Sequence, residues 1–126
     1  MIDGPDAIFS DEAAAHRWLE GQRWPDGPVC PHCARPDTAR PLNGKSMGEG
    51  WYHCRRCRRK FTVRTGTMYE RSHVPLHKWL HATRLLAQDD RERLTVERLR
   101  FILDVSYKTA WSMTRKIREA LRAGTL

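Results

Sequence analysis

Two pairs of cysteines constrain this chain more than any other feature of its sequence. Cys30 and Cys33 form one CxxC pair, Cys54 and Cys57 form the other, and twenty residues separate the pairs. Each CxxC can fold into a tight turn, a knuckle, that directs two sulfur atoms at one point, and two knuckles complete a tetrahedral site. Zinc suits four thiolates, and four cysteines leave no open coordination position. The sequence therefore predicts one structural Zn²⁺.

Three other uses of the cysteines remain open: two disulfides, a redox-active CxxC, and iron in the same four-sulfur site. Residues 1–9 lack a basic region followed by an apolar core, so no secretory signal is predicted and a reducing cytoplasm argues against disulfides. Residues 29–66 show only short alternating runs, typical of small hairpins, and the metal is expected to replace a core of their own. His32 and His53 adjoin the cysteines and are expected at the surface.

The positive charge of the chain is unevenly distributed. The 126 residues carry a net charge of +8, with a pI near 9.9. Residues 1–29 have a net charge of −4, residues 30–74 of +7 and residues 75–126 of +5. This distribution favours a polyanion, with nucleic acid as the first candidate and an anionic membrane surface as the second, although a basic surface also serves solubility. No apolar run reaches the roughly 18 residues of a membrane span, so a membrane protein is not predicted.

Helical periodicity marks both ends of the chain. Ser10 is the predicted N-cap of a short helix over residues 11–21. From Pro75 onward, apolar residues recur at the i, i+3, i+4 spacing of an amphipathic helix. Thr95 and Ser106 are the predicted N-caps of two further helices.

These patterns predict a small α+β fold in three parts. Residues 1–28 are expected to form a lead-in and a helix that packs on the ribbon, and residues 29–66 a four-cysteine zinc ribbon of short β-hairpins. Residues 67–126 are expected to form a three-helix unit.

The last two predicted helices form a helix-turn-helix with Asp104 and Val105 in the turn. A left-handed conformation at Asp104 would suit Gly better, and Asp tolerates it less well. The second helix of such a unit can enter the major groove of DNA. The candidate DNA contacts on its exposed face are Tyr107, Lys108, Ser112, Arg115 and Lys116. Trp111 is expected in the core, because a Trp within an amphipathic helix is usually buried.

Basic side chains beside the second CxxC pair are further candidates. Arg55, Arg56, Arg58 and Arg59, together with Lys60, can balance the negative thiolate site, and the four arginines are also candidate DNA-binding residues. A solvated basic face is the alternative for the arginines of the last helix. For His73, His77 and His81, an exposed helix face is favoured over a second metal site.

Taken together, the sequence resembles the N-terminal region of zinc-ribbon-bearing DDE insertion-sequence transposases. The resemblance is carried by RWPDGPVCPHC at 23–33, CRRCRRKFTVRTGTMYE at 54–70, VPLHKWL at 74–80 and DVSYKTAWSMTRKIREAL at 104–121. It implies that the four cysteines are metal ligands, that the helix beginning at Tyr107 is the recognition helix, and that the ribbon and helices recognise terminal inverted repeats. The segment Thr65-Gly66-Thr67 matches the TGT of this family and is expected to form a turn.

The resemblance also implies a three-carboxylate catalytic domain that these 126 residues do not contain. The expected function is therefore sequence-specific binding of double-stranded DNA, in the cytoplasm and at the nucleoid, without catalysis and without a small-molecule substrate. A separate catalytic chain or self-association would supply the remaining partner. A domesticated transcriptional regulator and a zinc-ribbon protein-interaction adaptor are the alternatives.

Overall fold

The computed structural model describes residues 5–42, 50–70 and 72–124. A short 3-10 helix, Asp6–Phe9, precedes helix α1, Glu12–Arg23. The strands are β1 (Ala39–Pro41), β2 (Tyr52–Cys54) and β3 (Lys60–Phe61). The remaining helices are α2 (Leu76–Ala87), α3 (Val96–Leu103) and α4 (Tyr107–Ala123). The predicted α+β class, with a ribbon followed by three helices, is confirmed.

Helix α1 begins one residue later than the sequence indicated. The side chain of Asp11 accepts a hydrogen bond from the backbone N–H of Ala13 at 3.1 Å, which makes Asp11 the N-cap. The prediction of Ser10 as the cap was wrong, because the Ser10 N–H bonds to the carbonyl of Ala7 and closes the preceding 3-10 turn. The helix also continues to Arg23, past the predicted end at residue 21.

The three strands form one antiparallel sheet in the order β1-β2-β3. Strand β2 is central, with Ala39 opposite Cys54 on one side and Phe61 opposite Tyr52 on the other. Because strands this short bury little surface, side chains from outside the sheet must complete its core.

An aromatic cluster supplies the core of the ribbon. The ring of Trp24 meets those of Tyr52 and Phe61 edge-on, with centroids 5.7 and 5.8 Å apart, and the latter two rings stack at 5.6 Å. Such pairs stabilise a core by about 1 kcal/mol each beyond their burial. Trp24 follows α1 and lies outside residues 29–66, so the segment before the ribbon contributes part of the ribbon's core.

Helix α2 is the centre of a second core. It contacts α1, α3 and α4, and six of its twelve residues are buried. The surrounding buried residues are Ile8, Ala15, Tyr69, Val74, Leu99, Leu103, Met113 and Ile117. Among the described residues, no helix combines the length and the apolar composition needed to cross a membrane.

Helix α1 belongs to both cores. Ala15 is fully buried against the helical core, whereas Leu19, one turn later, packs against both clusters. The expectation that this helix packs on the ribbon was incomplete, because α1 also contacts α2. Glu12 strengthens that contact: its carboxylate accepts the backbone N–H groups of Leu76 and His77 at 2.9 and 2.8 Å, at the start of α2.

Two arginines fix the segment between ribbon and helices. The Arg64 guanidinium donates to the backbone carbonyls of Tyr69, Ser72 and Val74 at 2.9 to 3.3 Å. Arg23 donates to the carbonyl of Val63 at 2.7 Å. The predicted turn at residues 65–67 lies within this segment and is confirmed, with φ of +80° at its glycine.

Candidate metal centre and nucleic-acid interface

The two CxxC segments fold into equivalent knuckles. In the first, the N–H of Cys30 donates to the carbonyl of Arg35, and the N–H of Ala34 donates back to the carbonyl of Cys30. In the second, Cys54 bonds to the carbonyl of Arg59, and the N–H four residues after Cys54 donates back to the Cys54 carbonyl. The same local hydrogen bonds therefore present both pairs of thiols.

The four sulfur atoms lie within 4.8 Å of one another. The Sγ atoms of Cys30 and Cys57 are 3.6 Å apart, as are those of Cys33 and Cys54, so the close contacts join different knuckles. A tetrahedral zinc with bonds of about 2.3 Å would place its sulfur ligands about 3.8 Å apart. All four cysteines are free thiols, and the donor set fits one structural Zn²⁺.

Hydrogen bonds favour the thiolate form of Cys54. The backbone N–H of Cys57 and the Thr38 hydroxyl, 3.1 Å from the sulfur, lower the pKa of Cys54 to about 5. A thiolate at neutral pH is the form that binds a metal ion. Thr38 was not identified from the sequence, because it acts across the sheet from 16 residues away.

The basic side chains beside the second knuckle face solvent. Arg55, Arg56, Arg58 and Arg59 are all exposed. Of the two neighbouring histidines, His32 is exposed as predicted. His53 is half-buried, and its Nδ1 atom is buried without a hydrogen-bond partner in the described part of the chain. The surface assignment of His53 was wrong, because it occupies the central strand of the sheet.

Of the three histidines near α2, His77 and His81 are half-buried, so the expectation of an exposed face was wrong for these two. The Nδ1 atom of His77 is 3.1 Å from the carboxylate of Glu12, and His81 packs on the ring of Phe9. His73 is exposed and precedes α2. Across residues 5–42, 50–70 and 72–124, the four cysteines are the one group of three or more metal-ligand residues close enough to share an ion.

Helices α3 and α4 meet at a left-handed turn. Asp104 has φ of +55° and ψ of +57° and lies in the turn, at the position predicted from the sequence. The Ser106 side chain accepts the N–H of Thr109 at 3.1 Å and caps α4, and Thr95 caps α3 in the same way. The residues of these two helices that are buried in the same core as α2 are Leu99, Leu103, Met113 and Ile117. This arrangement has the order and turn of a helix-turn-helix.

The candidate DNA contacts on α4 lie away from the packed side. Tyr107 is 53% exposed, Lys108, Arg115 and Lys116 are exposed, and Ser112 is half-buried. The structure thus brings these five side chains to one surface of one helix, and the ribbon arginines lie on a separate element.

Trp111 is on this surface too, and its assignment to the core was wrong. Its side chain is 48% exposed. The buried residues of α4 are Ala110, Met113, Thr114 and Ile117, and Trp111 lies about 100° around the helix from Ala110. The periodicity identified the packed side correctly but did not locate its edge.

Ion pairs divide the cations of α4 into two groups. Three arginines face acidic side chains: Arg115–Glu119 at 3.4 Å, Arg118–Asp89 at 3.8 Å and Arg122–Glu92 at 3.3 Å. Arg118 also donates to the carbonyl of Leu94 and is largely buried, so it holds the loop before α3. Lys108 and Lys116 form no ion pair with any described residue, which leaves them the most available cations of this helix.

Comparison with known proteins identifies the ribbon. The family of transposase zinc-ribbon domains matches residues 10–60. This part of the chain is a transposase zinc ribbon. The match includes α1 as well as the four cysteines, in agreement with the way α1 completes the core of the ribbon.

A relative extends the similarity into the helices. The chain is 33% identical over 119 residues, or 94% of its length, to an uncharacterized protein in the transposable element ISH50 of Halobacterium salinarum. The chain spans 39% of that protein's length. No solved structure matches the chain. Both similarities support the assignment of this chain to the zinc-ribbon region of an insertion-sequence transposase.

Proposed function

We propose that this chain is the DNA-binding part of an insertion-sequence transposase and recognises terminal inverted repeats. In this proposal, α4 enters the major groove, and Tyr107, Lys108, Ser112, Arg115 and Lys116 contact bases and phosphates. The observation that carries it is the exposed basic surface of α4, the second helix of a helix-turn-helix that follows a transposase zinc ribbon in the chain.

The ribbon contributes a second basic surface. Arg55, Arg56, Arg58 and Arg59 are assigned to phosphates of the same duplex, where they add affinity without reading sequence. Strand transfer is assigned to carboxylates outside the described residues, on this or a separate polypeptide. The protein is expected to act in the cytoplasm, at the nucleoid.

Salt dependence tests the assignment of the lysines. The affinity of the zinc-loaded chain for a labelled duplex should fall steeply with salt, because each neutralised phosphate releases counterions. Lys108→Ala together with Lys116→Ala should reduce the slope of log K against log salt by about 1 to 2. The control is Arg17→Ala, which removes an exposed cation of α1 that belongs to neither of the proposed DNA-binding surfaces.

A wild-type affinity that does not respond to salt would contradict phosphate contacts. A domesticated regulator would use the same surfaces, and only the preferred DNA sequence separates it from the transposase proposal. A protein-interaction adaptor predicts no binding to any duplex.

A further inference from the structure

The surface proposed to face DNA contains a large apolar side chain between its cations. Trp111 is three residues after Lys108 and four before Arg115, so the three side chains share one side of α4. Its ring is about half exposed, and it is the exposed Trp among the described residues. The exposed half of the indole gains no burial free energy on folding, so a partner that covers it would gain that free energy on binding.

The ring also has a defined position. The Arg115 guanidinium lies over it, with its central carbon 5.6 Å from the ring centroid. The indole forms one wall of an open cleft of about 300 Å³ between α3 and α4, together with Val96 and Thr114. Stacking restricts both side chains, so less conformational entropy is lost when they contact a ligand.

The charges around the ring select the class of partner. Lys108 and Arg115 flank it on its own helix, and Arg118 and Arg122 line the adjoining cleft. Glu119 is the acidic residue of the cleft, and it is held by Arg115. An apolar ring bordered by cations complements DNA, whose major groove presents thymine methyl groups between rows of phosphates.

We propose that Trp111 is a direct DNA contact of α4 and packs on an apolar group of the duplex, either a thymine methyl or a deoxyribose. The inference rests on the proposed DNA-binding function. It adds an apolar contact to the α4 residues that donate hydrogen bonds to the duplex. Arg115 acts as its positioning residue, because its guanidinium covers one side of the ring.

The test combines fluorescence quenching with binding. Acrylamide quenching of the zinc-loaded wild-type chain, minus that of Trp111→Phe, isolates the signal of Trp111. Saturation with a duplex taken from the DNA that flanks the coding frame should protect this signal. Trp111→Ala should weaken binding to that duplex about tenfold, equivalent to roughly 1.4 kcal/mol.

Phe101→Ala is the matched control. Phe101 is an aromatic residue of α3 that is 83% exposed, and its replacement should leave the affinity unchanged. Trp111→Phe keeps an apolar ring and should retain most of the affinity, which makes it the second variant if Trp111→Ala folds poorly.

Uracil substitution distinguishes the two apolar groups. Replacing thymines of the duplex one at a time with uracil removes single methyl groups. If Trp111 contacts a methyl group, one replacement should weaken binding of the wild-type chain but not of Trp111→Ala. If Trp111 contacts a sugar, no replacement should affect the two proteins differently.

Two outcomes would overturn the inference, and they differ in what else they contradict. If the wild-type chain binds the duplex while Trp111 stays accessible and Trp111→Ala binds equally well, this inference fails and the DNA-binding function stands. If the wild-type chain binds no duplex, both fail.

Discussion

Ala34 and Arg58 occupy the same place in the two cysteine knuckles, and both have φ of +61°. Each is the fourth residue after the first cysteine of its pair, and each donates its N–H to the carbonyl of that cysteine at 2.8 Å. The left-handed conformation costs a residue with a side chain about 1 kcal/mol relative to its usual conformations. The ribbon therefore uses one strained residue in each knuckle to bring two sulfur atoms together.

Ala34→Gly tests this strain. Glycine adopts positive φ without steric cost, so the substitution should raise the free energy of unfolding of the zinc-loaded protein by up to about 1 kcal/mol. Denaturant titration at fixed free zinc measures the change. Ala14→Gly, within α1, is the control and should lower the free energy by about 1 kcal/mol. If both substitutions lowered the free energy of unfolding, the backbone of Ala34 would not be strained.

Zinc removal tests the ribbon as a metal-dependent unit. A chelator, or Cys54→Ser, should abolish amide protection in residues 29–66, because a sheet of three short strands with a small aromatic core cannot offset the lost metal. Helices α2 and α4 should keep their protection, since they share the larger core. Hydrogen exchange provides the measurement and His32→Ala the control. Amide protection of residues 29–66 that persists without zinc would contradict the assignment of a structural zinc ion.

Glu12 provides a pH-dependent link between α1 and α2. Burial raises the pKa of its carboxyl. The backbone N–H groups of His77 and Leu76 and the nearby histidines lower that pKa by a larger amount, so the pKa of Glu12 lies below its ordinary value. Because the folded pKa is depressed, this stabilisation is fully present above the ordinary carboxyl pKa and is lost as pH falls through the folded pKa.

Glu12→Gln should therefore lower the free energy of unfolding by about 1 kcal/mol at pH 7, in line with the loss of a charged helix cap. The difference from wild type should shrink as pH falls from the ordinary carboxyl pKa through the lowered pKa of Glu12, because the wild-type carboxyl then becomes protonated. Thermal melts across pH measure it, with Asp26→Asn, an exposed carboxyl, as the control. A difference that stays constant down to acidic pH would show that the charge is not the cause.

Arg64→Lys tests the connection between ribbon and helices. The lysine ammonium group lacks the planar fork with which the guanidinium bridges three carbonyls. The free energy of unfolding should therefore fall by about 2 kcal/mol. Burial lowers the pKa of Arg64 from its high ordinary value. Arg59→Lys, at an exposed position, should change stability by less than about 0.5 kcal/mol. If both substitutions changed the free energy of unfolding equally, Arg64 would not be the residue that connects the ribbon to the helices.

The sequence predicted the features that local chemistry determines. The cysteine spacing identified the ribbon, and short-range signals at Thr95, Asp104 and Ser106 placed the caps and turn of the helix-turn-helix correctly. These motifs need only neighbouring residues to form, so a single sequence contains enough information to find them.

The features that were missed depend on distant contacts. The Glu12 carboxylate meets α2 64 and 65 residues away, and Trp24 completes a core on strands that come later in the chain. The error at Trp111 has the same origin, because the edge of a packed helix face is determined by the position of its neighbour and not by the period of the helix. The domain boundaries and the DNA contacts remain predictions.

A binding measurement can establish whether this chain recognises a specific DNA sequence. Fluorescence anisotropy of the zinc-loaded chain would compare a duplex from the DNA that flanks its coding frame with a scrambled duplex of the same length, at two salt concentrations. The proposal predicts salt-sensitive binding that is at least about a thousandfold tighter to the flanking duplex. Equal affinity for both duplexes, or no binding to either, would contradict it.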